Sequence, residues 1–420
     1  MRVVIIGNGV AGISAARHLR KLSDHEIIVV SEEAPYHFSR PAMMYVSMGH
    51  MTFNDIKPYE DWFWKKNRIE LKQEAVTEIR SCLGAELPRY GGTEVPSYCI
   101  VLGSGETIEA DIVIFATGSV PAWYNWPGQY LPGVQSYVHR SDLDVLEANI
   151  QGASTAVVVG GGLIGVEAAE VLHSRGKHVT MLVRESGFYS NVFPAEESDF
   201  ITKHIASYGI ELKTTTELDQ IVKGETNGRV DHVITSNGER IKADIVVLAT
   251  GVKPNISLAR DSGVATDRGI LVNDRFETSR ANIYAIGDCA QFSHGIQQLW
   301  YSARSHGEHV AKVVIQGAGP YSRGLYFNSA KFFDLEWQIY GVVPQDSNLG
   351  TSLFWKDARS ERCLRICHDK GSVIGVHGIG VRLRQEVWTN WIEAGTHIDN
   401  AVSQLSKGLF DPEFTRGVLI

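Results

Sequence analysis

The chain has 420 residues, 44% of them apolar and 21% charged, with a formal net charge of −8. That length supports two or three domains with several cores, and a charge without basic runs excludes the electrostatic footprint of a nucleic-acid binder. No stretch of about 18 apolar residues exists, which excludes an integral membrane helix, and a strand starting at Arg2 leaves no room for a signal peptide, so a cytoplasmic protein is expected.

The chain opens on the apolar run Val3-Val4-Ile5-Ile6, which ends in Gly7-Asn8-Gly9-Val10-Ala11-Gly12. A helix-like segment, Ile13 to Leu22, and a second apolar run, Ile27 to Val30, follow. Strands without polar alternation suit a parallel sheet buried on both faces. Residues Trp123 to Gln135, rich in Trp, Pro and Gly, form a crossover linker. The opening pattern then returns: Ala156 to Val159, the loop Gly160-Gly161-Gly162-Leu163-Ile164-Gly165, a helix from Val166 to Ser174 and a strand from Val179 to Val183. Each copy is followed by a strand closing in Ala-Thr-Gly, at Gly118 and at Gly251, with Pro121 or Pro254 three residues later. The repeat is a domain-scale duplication. A third glycine signal is Ile286-Gly287-Asp288. From about Leu325 strand-like pieces (Lys331 to Tyr340, Leu353 to Trp355, Leu364 to Cys367, Val373 to His377) precede a helix, Leu383 to Gly395, which predicts a separate α+β domain.

Each glycine loop has the chemistry of a pyrophosphate cradle. In the first, Gly7 permits the tight turn, Gly9 lets backbone approach a phosphate, and Gly12 lets the helix pack on the strand. The helix start faces the anion with its free N–H groups. Glu32, at the end of the second strand, stands where an acid binds a ribose diol, and Glu33 can substitute for it. In the second loop Gly160, Gly162 and Gly165 follow the same logic. There the strand ends in Val183-Arg184, and a guanidinium at Arg184 suits a 2′-phosphate, whereas Gly165 suits NADH. Two such loops in one chain predict two bound dinucleotides.

The order Gly-loop, Ala-Thr-Gly, Gly-loop, Ala-Thr-Gly, Ile-Gly-Asp resembles the FAD-dependent pyridine nucleotide-disulfide oxidoreductase superfamily. The similarity is greatest to its ferredoxin and rubredoxin reductase and apoptosis-inducing-factor-like branch. It covers residues 1–325 strongly and the tail weakly. The resemblance implies FAD and NAD(P)H as cofactors. It implies that Asp288 binds the FAD ribityl chain, that Cys289-Ala290 opens a helix aimed at the flavin, that Thr117 and Gly118 line FAD, and that Val76 presents backbone to adenine. Ser39-Arg40-Pro41 resembles the branch's Arg-Pro segment, which places Arg40 on FAD phosphates. Glu167 lies where the family has a carboxylate near the nicotinamide. Trp300 covers the isoalloxazine, shapes the acceptor site, or simply fills a core.

The departures from the family are as informative. The segment after Ser31 lacks the redox cysteines of disulfide reductases, and Tyr45 stands where the ferredoxin-reductase branch has a lysine. The five cysteines, Cys82, Cys99, Cys289, Cys363 and Cys367, are odd in number and scattered, so no disulfide framework is expected. No metal site is expected.

The predicted fold class is α/β: two Rossmann-like, three-layer dinucleotide-binding domains plus a C-terminal α+β domain. The FAD domain spans 1–120 and 250–322, the NAD(P)H domain 121–249, and a C-terminal interface or dimerisation domain 323–420. The predicted activity is hydride transfer from nicotinamide to FAD, then electron transfer to an external acceptor, a rubredoxin- or ferredoxin-like carrier. Alternatives are an NAD(P)H oxidase or quinone reductase, and a redox-responsive flavin-binding regulator with little turnover. A homodimer is a possible assembly.

Overall fold

The computed structural model describes residues 1–82, 89–90, 93–94, 97–225, 228–345, 351–357 and 362–411. Two compact units result: Met1–Ala122 with Val138–Leu143 and Val252–Ser322, and Trp123–Tyr137 with Asp144–Gly251 and Arg323–Ile420.

The first unit is built on a five-stranded parallel sheet in the order Ile283–Ala285, Ile112–Phe115, Arg2–Ile6, Glu26–Ser31, Ile69–Gln73. Val3, Val4, Ile5, Val113, Ile114 and Phe115 are wholly buried, as continuous apolar runs in the middle of a covered parallel sheet must be. The helix Val10–Leu22 crosses the helix Trp300–Gln316 at very short range. Gly307 makes that possible, because a Cβ there would lie 2.3 Å from the Ala11 carbonyl oxygen and 2.7 Å from the Ala15 nitrogen. Gly307→Ala should therefore lower stability by about 2–3 kcal/mol through overpacking against backbone, read as a shifted denaturant midpoint. An unchanged midpoint would show that the helices have room to part.

Three antiparallel strands, Val76–Ser81, Tyr98–Leu102 and Thr107–Ala110, flank this sheet. Their register corrects the expectation for the cysteines. Arg80 pairs with Cys99, and the Cys82 N–H reaches the Ser97 carbonyl at 3.1 Å, so Cys82 and Cys99 are disulfide-bonded with Cα atoms 5.3 Å apart. Counting cysteines could not show this, because the pairing depends on cross-strand register.

The second unit repeats the plan. Its five-stranded parallel sheet runs Val134–Gln135, Ile245–Leu248, Thr155–Val159, His178–Val183, Glu211–Thr214. An antiparallel trio follows, Leu218–Lys223, Val230–Thr235 and Arg240–Lys242. The expected linker thus ends in an edge strand of this sheet. The tail forms a five-stranded antiparallel sheet in the order Phe327–Phe332, Leu335–Gly341, Ser372–Ile379, Cys363–Asp369, Thr351–Lys356. The single strand expected over Lys331 to Tyr340 is a hairpin, turned at Phe333 with φ +51°. The helix expected over Leu383 to Gly395 spans Gln385–Glu393, and residues 412–420 lie outside the described residues.

Inside the second unit the tail packs on the nucleotide fold through rings and one buried ion pair. Phe188 meets Phe332 at 5.4 Å and Phe193 meets Trp337 at 5.1 Å. The Arg365 guanidinium donates to both carboxylate oxygens of fully buried Glu197, at 2.6 and 3.0 Å, and to Ser352 at 2.7 Å. A buried carboxylate persists only when paired in this way.

Candidate dinucleotide-binding sites

The two loops match bond for bond. The Gly7 N–H donates to the Val30 carbonyl at 2.8 Å, and the Gly160 N–H to the Leu182 carbonyl at 2.9 Å. Ala116 N–H reaches Ile6 at 2.8 Å, and Ala249 N–H reaches Val159 at 2.8 Å. Gly7 and Gly160 have φ of +115° and +125°, and a Cβ on either would strike the Ala116 or Ala249 carbonyl oxygen at 2.1 or 2.2 Å. Gly12 and Gly165 are equally constrained: their Cβ atoms would lie 2.1 and 2.2 Å from the carbonyl oxygens of Gly7 and Gly160.

The helices that follow, Val10–Leu22 and Leu163–Ser174, have glycine N-caps, Gly9 and Gly162, without a capping side-chain bond or an acid in the first turn. Such a start leaves its N–H groups for an anion. A Cβ on Gly9 would meet nothing within 4 Å, so the space above this turn is open to a ligand. Both helix starts therefore fit a pyrophosphate.

Around the first loop, Asn8 is buried and its amide donates to the carbonyls of Ala34 and Tyr36, at 2.8 and 3.1 Å, drawing the segment after Ser31 across the turn. His37 lies 2.8 Å from the Asn8 carbonyl, and burial lowers its imidazole to about 4 despite that bond. The two adjacent acids divide their duties. Burial alone would raise Glu33, but bonds from His139, the Arg40 guanidinium and the Arg140 N–H hold it well below the usual carboxylate range. Glu32 is exposed and has no hydrogen-bond or ion-pair partner among the described residues. Arg40 is bound to Glu33 and to the Val138 carbonyl, with its side chain 43% exposed.

Val76 opens its strand at a β-bulge. Thr117 donates to the Asn255 carbonyl at 2.7 Å, and Gly118 stands at φ +65° with open space before it. Asp288 accepts from the Ser119 hydroxyl at 2.9 Å, and the Gln298 amide donates to Ser119 at 3.1 Å. Burial raises the Asp288 carboxyl, opposed by the Ser119 bond and the charge of Arg40. Ser119 has no role in the sequence reading, its one signal being that it follows the first Ala-Thr-Gly, whereas Gln298 opens the segment before Trp300 that the resemblance places over the flavin.

The helix expected at Cys289-Ala290 is absent. Gly287–Cys289 is a 3-10 turn leading into the strand Ala290–Phe292, which pairs with Ile270–Leu271 and Gly295–Ile296. The Cys289 thiol is buried 3.2 Å from the Ile286 carbonyl, which turns the chain into that strand. The helix begins instead at Trp300, a residue 41% exposed with the Arg304 guanidinium 6.0 Å from its ring, so Trp300 does not fill a core. The aromatics at 59–64 divide: Trp64 is buried, Tyr59 stacks on Phe63 at 4.6 Å, and Trp62 is exposed.

Gly160, Gly162, Gly165, Glu167, Arg184 and Gly251 fall on the second unit, the other expected site residues on the first. Burial, and then the nearby Glu170 charge, raise the Glu167 carboxyl to about 7. Arg184 is exposed and paired with Glu185 at 2.8 Å. Gly251 stands at φ +98°. Cys363 and Cys367 are buried; burial raises the Cys363 thiol, and that of Cys367 to about 12. Among the described residues no cluster of His, Cys, Asp or Glu is arranged for a metal, and no helix is long and apolar enough to cross a membrane.

Two duplicated parallel sheets, each ending in an uncapped glycine turn, define a flavoprotein class that holds two dinucleotides. The profile described as "Pyridine nucleotide-disulphide oxidoreductase" matches residues 1–307, and the chain belongs to that family. It is 29% identical over 330 residues to the assimilatory nitrate reductase electron transfer subunit of Bacillus subtilis, covering 76% of this chain but only 40% of that protein. It is also 29% identical to the rubredoxin-NAD(+) reductase of Acinetobacter baylyi, across 69% of this chain and 72% of the relative. A NAD-dependent persulfide reductase from A. fulgidus superposes with a TM-score of 0.81 at 25% identity, covering 96% of this chain and 79% of that one.

Proposed function

We propose that the chain carries electrons from NAD(P)H through FAD to a small rubredoxin- or ferredoxin-like protein. The observation that carries the reading is the pair of equivalent uncapped loops with no cysteine pair in the segment after Ser31 to take electrons as a disulfide; the disulfide found among the described residues, Cys82–Cys99, joins the flanking antiparallel strands. The segment after Ser31 presents Met43 and Met44, both buried, and no cysteine. Cys289, Cys363 and Cys367 are buried with raised thiols, unsuited to exchange. The relative that reduces rubredoxin supports the same destination.

Bound flavin would supply the chemistry, accepting a hydride and passing its electrons on singly. The residues of the chain supply the binding. The Gly9 and Gly162 turns hold the phosphates, Glu32 the flavin ribose, and Ser119, Gln298 and Asp288 a polar wall for the ribityl chain. Arg40, tied to Glu33, adds positive charge beside the first turn. Glu167 holds or yields a proton close to neutral pH. Arg184 offers its charge to a 2′-phosphate if released from Glu185, which leaves both NADH and NADPH as donors to compare.

Steady-state oxidation of each nucleotide, measured with rubredoxin, ferredoxin, oxygen and a quinone, tests the acceptor. Turnover should be fastest with one of the two protein carriers. Faster turnover with oxygen or quinone would replace this reading with an oxidase or quinone reductase. Rapid flavin reduction without turnover on any acceptor would favour a redox-responsive binding protein.

A further inference from the structure

One buried histidine holds the turn that carries Asp288. His306, wholly buried on the helix Trp300–Gln316, accepts the Gly287 N–H at its Nδ1 over 3.1 Å. Gly287 immediately precedes Asp288. A backbone N–H can only donate, so Nδ1 must present a lone pair and the ring is the Nε2–H tautomer.

Neither partner in this bond has slack. Phe276, Phe292 and Tyr321 surround the imidazole, with ring centroids 5.2, 5.3 and 5.0 Å away. The next residue, Gly307, lets the helix of His306 lie against Ala11 and Ala15 on the helix that starts after Gly9. On the other side, Gly287 stands at φ +71°, and a Cβ there would lie 2.8 Å from the Cβ of the same Ala11. The Ile286 N–H before it is held by the Phe115 carbonyl at 2.9 Å. The pyrophosphate turn at Gly9 and the turn of Asp288 are thus referred to one pair of packed helices.

We infer that His306 is a positioning residue for FAD: its Nδ1 fixes the Gly287 N–H, and so sets the Asp288 carboxyl against the ribityl chain at a constant distance from the pyrophosphate turn. The imidazole itself touches no reacting atom. Without it the Gly287 N–H would lose its acceptor in a buried place, and the turn would shift to find another, taking Asp288 with it. The inference rests on the reading of Asp288 as a ribityl contact and names the residue that sets that contact.

The test is the rate at which the purified FAD-loaded protein releases FAD on dilution, followed by the recovery of flavin fluorescence. His306→Phe keeps a ring among the aromatics and removes the acceptor, whereas His306→Asn offers an amide oxygen near the place of Nδ1. The phenylalanine variant should release FAD about 10-fold faster than the wild type, and the asparagine variant within about 2-fold of it. In an Asp288→Ala background, itself faster than the wild type, His306→Phe should add less than about 2-fold, because both changes remove one contact. A loss of packing alone would speed release equally in both backgrounds and would not be mended by asparagine; either result would overturn the inference. Should the phenylalanine variant fail to fold, His306→Leu, smaller and likewise without an acceptor, is read in its place. Wild-type release after His306→Phe, with Asp288→Ala faster, would overturn the role of His306 alone. Wild-type release after Asp288→Ala would overturn the ribityl reading of Asp288 and the inference with it.

Discussion

Gly9→Val is expected to strip the protein of FAD while leaving its fold intact. The backbone at Gly9 has φ −66°, which any residue adopts, and its Cβ would meet nothing within 4 Å. The apoprotein should lose no more than about 1 kcal/mol, the scale of a changed helix cap. The side chain would instead occupy the approach that a pyrophosphate needs. Gly12→Val is the contrasting case. Its Cβ would lie 2.1 Å from the Gly7 carbonyl oxygen, so the loop and helix must part and several kcal/mol of stability should be lost. Flavin absorbance after purification, with denaturant melts of both apoproteins, separates the two. If Gly9→Val keeps its flavin, the first turn does not face a pyrophosphate.

The second large effect has opposite signs for stability and activity. The Glu167 carboxyl is raised to about 7 from an ordinary value of 4.5, chiefly by burial. Between those two pH values the folded state holds more protons than the unfolded state, so stability falls as pH rises through the window. The loss is complete above pH 7. Glu167→Gln removes it, and the variant should gain up to about 3 kcal/mol over the wild type at pH 8 and little at pH 4. Flavin reduction by nicotinamide should meanwhile slow by about 100-fold and lose its pH dependence near neutrality. Denaturant unfolding at the two pH values, with stopped-flow reduction across them, reads both effects. A glutamine variant less stable than the wild type at pH 8 would show that the Glu167 carboxylate has a partner that stabilises its charged form.

The features legible in the sequence were those carried by local spacing. The glycine turns, the strands feeding them and the Ala-Thr-Gly closures follow from residues a few positions apart, and the structure repeats them bond for bond. What escaped depends on pairing over long separations. Ser119 reaches Asp288 across 169 residues, and Arg365 reaches Glu197 across 168. Cys82 and Cys99 meet because two antiparallel strands bring their ends together. The helix expected at Cys289 failed for a local reason: Gly287, at φ +71°, and the buried Cys289 thiol turn the chain into a strand, and the helix begins eleven residues later at Trp300.

The central claim is that one chain binds FAD and a nicotinamide dinucleotide for electron transfer between them. Anaerobic mixing of the purified protein with NADH, and separately with NADPH, tests it most directly through the flavin absorbance. The account predicts that FAD copurifies and that at least one nucleotide bleaches it rapidly. A protein that carries no flavin, or a flavin that neither nucleotide bleaches, would contradict it.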